Sequence, residues 1–172
     1  MRERRVLLHC NAGGDFGMGH LVRTVALADA ARRRGWAASV VGEIGEGAVA
    51  AARLISPGVE VVSEHGAALA DTLLSASRSA DVVHLDSYWD VPSMTGSAAL
   101  TSNMQDGVYG VRNADIAIDG TLGGEWSFAE PGRSRVRMAG IDLAVIRDQV
   151  LRQRGAHRTR AESPRLLIVM GG

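Results

Sequence analysis

Four glycines fall within residues 13–19, and a histidine, His20, opens the segment that follows, GHLVRTVALADA. Glycine at positions such as Gly17 and Gly19 lets a ligand approach the backbone closely, because no Cβ stands in the way. Met18 lies between them. A helix N-terminus behind such a turn offers free N–H groups and partial positive charge, which suits a phosphate, a carboxylate or a sugar. His20 then has two readings. Its ring can satisfy a loop carbonyl, or the positive helix end can disfavour imidazolium, keep the ring neutral at pH 7 and leave it able to take a proton as a general base.

Known phosphate loops match this stretch poorly. A P-loop needs a lysine and a hydroxyl after its second glycine, and behind Gly14 and Gly19 stand His20 and Leu21 instead. A dinucleotide fingerprint finds only Ala12, Gly14 and Gly17 in frame, offset by a longer loop, with Glu43 as a minor mimic of its ribose acid. Two more residues could do chemistry. Arg23, one helical turn past His20, either faces the ligand or pairs with an acid on the surface. Asp86 ends an apolar run, DVVHLD, at the edge where α/β sheets place function, or else it caps the next loop.

The elements that must position these residues follow from the apolar periods. RVLLHC, a helix over about Gly19 to Arg34 and AASVVG read as strand, helix, strand, the unit of a parallel sheet. Arg32, Arg33, Arg34 and then Gly35 place cations and a left-handed cap at that helix's end. Further helices are expected over about Glu46 to Ile55 and Ala67 to Ser79, with VEVV and DVVHLD as strands. Beyond SYWDVP the pattern weakens: Ser93 to Asn103 reads as helical or irregular, and GVYGV and ADIAID as weaker strands. Gly120 to Arg135 reads as a long loop, and AGIDLAVIRDQVLRQRG as a turn and then a helix.

Composition narrows the partners. A chain of 172 residues holds one full α/β domain and no second one. Its nineteen basic residues, all arginine, balance nineteen acidic ones, so no net field draws in nucleic acid or an anionic membrane. Small soluble ligands are the expected partners. The single cysteine, Cys10, falls in a buried strand and reads as a core residue, with no disulfide or cysteine metal site within the chain. The basic opening carries too short an apolar run for a secretory signal, and no stretch reads as membrane-spanning, so a cytoplasmic protein is expected.

The segment GMGHLVRTVALADA resembles the G-x-G-H-x-x-R-x-x-x-L-A signature of the nucleotide-sugar hydrolases of pseudaminic acid biosynthesis and of the related SpsG-like spore-coat polysaccharide proteins, with Gly17, Gly19, His20, Arg23, Leu27 and Ala28 matching. LDSYW is similar to that family's D-x-Y element, with Asp86 and Tyr88 in register. AGIDLAVIRDQV and RLLIVMGG are similar to its later elements. The resemblance implies the N-terminal, Rossmann-like half of a GT-B fold, an α/β three-layer domain with a parallel sheet. It also implies hydrolysis of a UDP-sugar at the anomeric carbon with release of UDP. His20 would be the general base, Tyr88 would lie in the site, and Gly17, Met18, Gly19, Arg23 and Asp86 would contact substrate. No cofactor and no metal are implied, the UDP-sugar being the substrate.

Two departures from the family pattern stand out. Where the family shows R-x-D at the end of its first strand, this chain has His9, Cys10 and Asn11, which places Asn11 among the substrate contacts and points to a different sugar or altered chemistry. The second half is also missing. Residues 1–154 read as the sugar-side domain, 155–164 as a polar linker, and 165–172 as the first strand of an absent nucleotide-binding domain. An enzyme fragment, inactive alone, is the expectation. Without its own sheet, the strand RLLIVM would stay flexible or pair with another copy, so self-association through it is expected. Two alternatives stay open: a glycosyltransferase of the same fold, although those usually carry proline near the place of Arg23, and a non-catalytic binding domain.

Overall fold

The computed structural model describes residues 2–94, 97–126 and 134–153. The first strand, β1 (Arg5–Cys10), is followed by helix α1 (Gly19–Arg33) and strand β2 (Ala37–Gly42), as the apolar periods require. Helix α1 buries Leu21, Thr24, Val25 and Ala28, one stripe at helical spacing, against the sheet. It stops one residue earlier than expected. Gly35 takes φ 78°, and the backbone N–H groups of Arg34 and Gly35 donate to the carbonyls of Ala31 and Arg32, closing the last turn.

Helix α2 (Glu46–Ile55), strand β3 (Glu60–Ser63), helix α3 (Gly66–Ser77) and strand β4 (Val82–Asp86) complete the first half. Strands β5 (Leu100–Gln105), β6 (Ile116–Asp119) and β7 (Val136–Ala139) extend the sheet, and a short helix, α4 (Asp148–Leu151), follows. All seven strands are parallel, in the order β3-β2-β1-β4-β5-β6-β7. The protein is therefore an α/β, Rossmann-like three-layer domain. Leu8, Cys10 and Val40 pack with α1 and α2 on one face, while Leu7, Val41, Val83 and Leu85 pack with α3, Met94 and Ala99 on the other. Cys10 is fully buried, and burial pushes its thiol up to about 12, so it is inert core.

Three expectations beyond Asp86 need correction. Residues 100–105 form β5, a strand inside the sheet, where the sequence reads as irregular; Ser102, Asn103 and Gln105 are buried, and their polarity conceals the strand from an apolar-run reading. GVYGV is a turn and not a strand, with Gly107 and Gly110 at φ 62° and 70°. Just beyond the expected long loop, Val136–Ala139 is β7, paired with β6, and its Arg137 donates to Asp119 and to the Gly124 carbonyl. The linker 155–164 and the strand 165–172 lie outside the described residues.

The chain order reverses between β1 and β4. Their connections leave to opposite sides, and the carboxyl ends of these two strands are the place where open parallel sheets bind ligands. The loop after β1 carries the glycines and His20, and β4 ends on Asp86.

Candidate functional site

Cys10 and Asp86 are register partners across the β1–β4 pair, so the end of β4 lies under the start of α1. The glycine loop makes the turn between them. Gly13, Gly14 and Gly17 take φ of 87°, 52° and 67°, conformations that side-chain-bearing residues rarely adopt, so glycine is needed at each. Met18 is the helix cap, and no side chain caps the first turn that Gly19 begins.

His20 is buried, and its Nδ1 lies 2.7 Å from Asp86 Oδ1. Burial works to raise the Asp86 carboxyl, but hydrogen bonds from Arg23 and His20 outweigh it and hold the group down at about 2. Asp86 is thus an anion that only accepts, and Nδ1 must carry the hydrogen that it accepts. The other ring nitrogen, Nε2, has no hydrogen-bond partner among the described residues and is not sealed from solvent. A carboxylate that orients an imidazole and leaves its far nitrogen unpaired is an arrangement able to serve as a general base or acid.

Arg23 completes the cluster. Its Nε and Nη2 donate to the two oxygens of Asp86 at 2.7 and 2.6 Å, a bidentate fork, while Nη1 and Nη2 reach Asp106 at 3.0 and 3.1 Å. Burial works against the guanidinium charge, yet its hydrogen bonds to the two carboxylates push its pKa above the ordinary arginine value. Of its two readings, pairing with acids describes this geometry, though one of those acids is buried and not on the surface. Asp86 likewise caps no loop; both of its oxygens are taken by His20, Arg23 and, at 3.4 Å, Thr24.

Tyr88 stands on the loop after β4, half exposed, with its ring edge-on to His20 at a centroid distance of 4.4 Å. Its hydroxyl donates to Asp106. Burial and that bond push the phenol up to about 12, so it remains a donor at neutral pH. Asn11 is buried at the end of β1, where its Oδ1 accepts the backbone N–H of Glu43 at 3.0 Å. It ties β1 to the end of β2. Glu43 Oε1 lies 3.3 Å from His65 Nδ1, and the Glu43 carbonyl accepts the backbone N–H of Ala12 at 2.9 Å.

The structure therefore brings His20, Arg23, Asp86 and Tyr88 into one network, with Gly17, Met18 and Gly19 forming the turn above it. Asp106 joins that network and was not apparent from the sequence. It follows β5, the strand that reads as irregular, so nothing marked it as a strand-end acid. Among the described residues, no group of three or more potential metal ligands comes together. The fold and site define a Rossmann-like domain with an aspartate-oriented histidine at its switch point. No family model matches the chain, and no curated protein matches it.

Proposed function

We propose that the chain is the sugar-side domain of a nucleotide-sugar-processing enzyme that hydrolyses a UDP-sugar at its anomeric carbon. One observation carries the reading: His20 holds Nδ1 on the ionised Asp86 and leaves Nε2 without a hydrogen-bond partner among the described residues, beside the glycine turn at the switch point of the sheet. Nε2 accepts a proton from water as the water oxygen bonds to the anomeric carbon; the bond from that carbon to the diphosphate oxygen breaks, and its electron pair leaves with UDP. Asp86 balances the positive charge that develops on the ring. Arg23 holds Asp86 in place, and Tyr88 lies against the imidazole. The resemblance of GMGHLVRTVALADA to nucleotide-sugar hydrolases supports the same assignment and adds a C-terminal nucleotide-binding domain as partner, with no organic cofactor. On this reading the enzyme works in the cytoplasm; no helix among the described residues is long and apolar enough to cross a membrane.

The test is UDP release from UDP-sugars by this chain with and without a supplied C-terminal half, compared with His20→Asn. Loss of a general base is expected to lower turnover by about 10² to 10⁴-fold. A variant that turns over at the parent rate would reduce His20 to a structural role, and release that requires an added acceptor would identify a transferase.

A further inference from the structure

Both tyrosines of the chain and one of its three tryptophans gather at the mouth of the site. Tyr88, Trp89 and Tyr109 are 45 %, 45 % and 62 % exposed, unusual for rings held in a defined cluster. The Tyr88 and Trp89 rings lie near-parallel, 28° apart at 6.3 Å, and Tyr109 leans against Tyr88 at 5.4 Å. With Asp90, Val108 and Arg112 they line a cavity of about 330 Å³. That is the low end of ligand clefts, with room for one pyranose ring but not for a whole nucleotide-sugar.

The platform is braced from three sides. Phe16, on the glycine loop, meets Trp89 edge-to-face at 4.7 Å. Arg112 Nη2 donates to the Ser87 carbonyl, and the Trp89 N–H donates to Ser87 Oγ at 3.1 Å, which fixes the loop after β4 from below. Asn103 Nδ2 donates to the Gly110 carbonyl at 2.6 Å, and Asp106 and Tyr109 exchange backbone hydrogen bonds, so the Tyr109 turn is held as well. Rings fixed in this way bind without first losing rotamer freedom.

We propose that Tyr88, Trp89 and Tyr109 form the subsite for the sugar ring of the substrate, stacking on its C–H face while the Asp90 carboxylate accepts from its hydroxyls. The inference rests on the nucleotide-sugar reading of the His20 site. Tyr88 touches both the His20 imidazole and the other two rings, so whatever stacks on the platform lies one side chain away from that imidazole. That part of a UDP-sugar is the glycosyl ring, because ribose and two phosphates separate the uracil base from the reacting carbon.

Saturation-transfer NMR on the 172-residue chain tests this with N-acetylglucosamine as the neutral pyranose probe and uridine as the base probe. Saturation of the pyranose C–H protons is expected for the parent. It should fall about tenfold in Trp89→Ala and in Tyr109→Ala, as for a lost aromatic contact worth roughly 1.4 kcal/mol, and Trp89→Phe should restore it. Both rings are exposed, and circular dichroism confirms that the variants fold. Absence of pyranose saturation, saturation that survives both alanine variants, or ring-dependent saturation of uridine instead would overturn the subsite. The two proposals fail separately. Ring-dependent sugar binding without any UDP release sinks only the hydrolase reading, whereas His20-dependent release with an unchanged KM in both alanine variants sinks only the subsite.

Discussion

Replacing Asp86 by asparagine removes one charge from a nearly dry site and leaves the shape almost unaltered. Asp86 is 1 % exposed and accepts His20 at 2.7 Å and Arg23 at 2.6 and 2.7 Å. Held at about 2 against an ordinary 3.8, the carboxylate contributes on the order of 2 kcal/mol of stability at pH 7. Asparagine also turns an NH₂ group toward donors, a mismatch that raises the loss. Arg23 keeps Asp106, which limits it. The expected cost is about 2–3 kcal/mol, below the 3–5 kcal/mol typical of a fully orphaned buried ion, with a melting temperature lower by roughly 4–12 °C. Urea unfolding followed by circular dichroism measures it. The sign against pH follows from the depressed value: the contribution is complete above the ordinary carboxylate range and fades as pH falls from about 4 towards 2. The gap between parent and variant should therefore narrow below about pH 4. A variant as stable as the parent at pH 7, or a gap that stays constant into acid, would refute the coupling of Asp86 to Arg23 and His20.

His84 is buried beside an apolar cavity of about 400 Å³, and burial pushes it down to about 4. The unfolded chain then binds more protons between about pH 6.5 and 4, so stability falls through that window on acidification; His84→Asn, which can keep the bond to Ser102 Oγ, should flatten that slope, and an unchanged slope counts against it. Gly42→Ala would place a Cβ 1.7 Å from the Cys10 carbonyl oxygen, so β1 and β2 must separate. A loss above about 3 kcal/mol or insoluble expression is expected, and a melt within about 1 kcal/mol of the parent would contradict the packing. Tyr88→Phe loses only its bond to Asp106 from a half-exposed ring, so stability should change by less than about 1 kcal/mol while KM or kcat for UDP-sugar shifts. A large drop in melting temperature with unchanged kinetics would place Tyr88 in a structural role instead.

Local signals sufficed wherever an element carries its own pattern. Helix α1 announces itself by Leu21, Val25 and Ala28 at helical spacing and by Gly35 at its end, and β1, β2 and β4 by apolar runs that need burial on both faces. The glycine turn, His20 and Asp86 were visible for the same reason, since positive φ demands glycine and strand ends mark the functional edge of such a sheet. Tertiary structure alone decided the rest. LTSNMQ becomes a strand because β4 and β6 flank it and supply hydrogen bonds that its polar side chains never advertise. The partnership of His20 and Asp86 spans 66 positions, and that of Arg23 and Asp106 spans 83. Such pairs depend on strand order, and strand order is set by how helices cover the sheet, a property of the packed chain that no single segment contains.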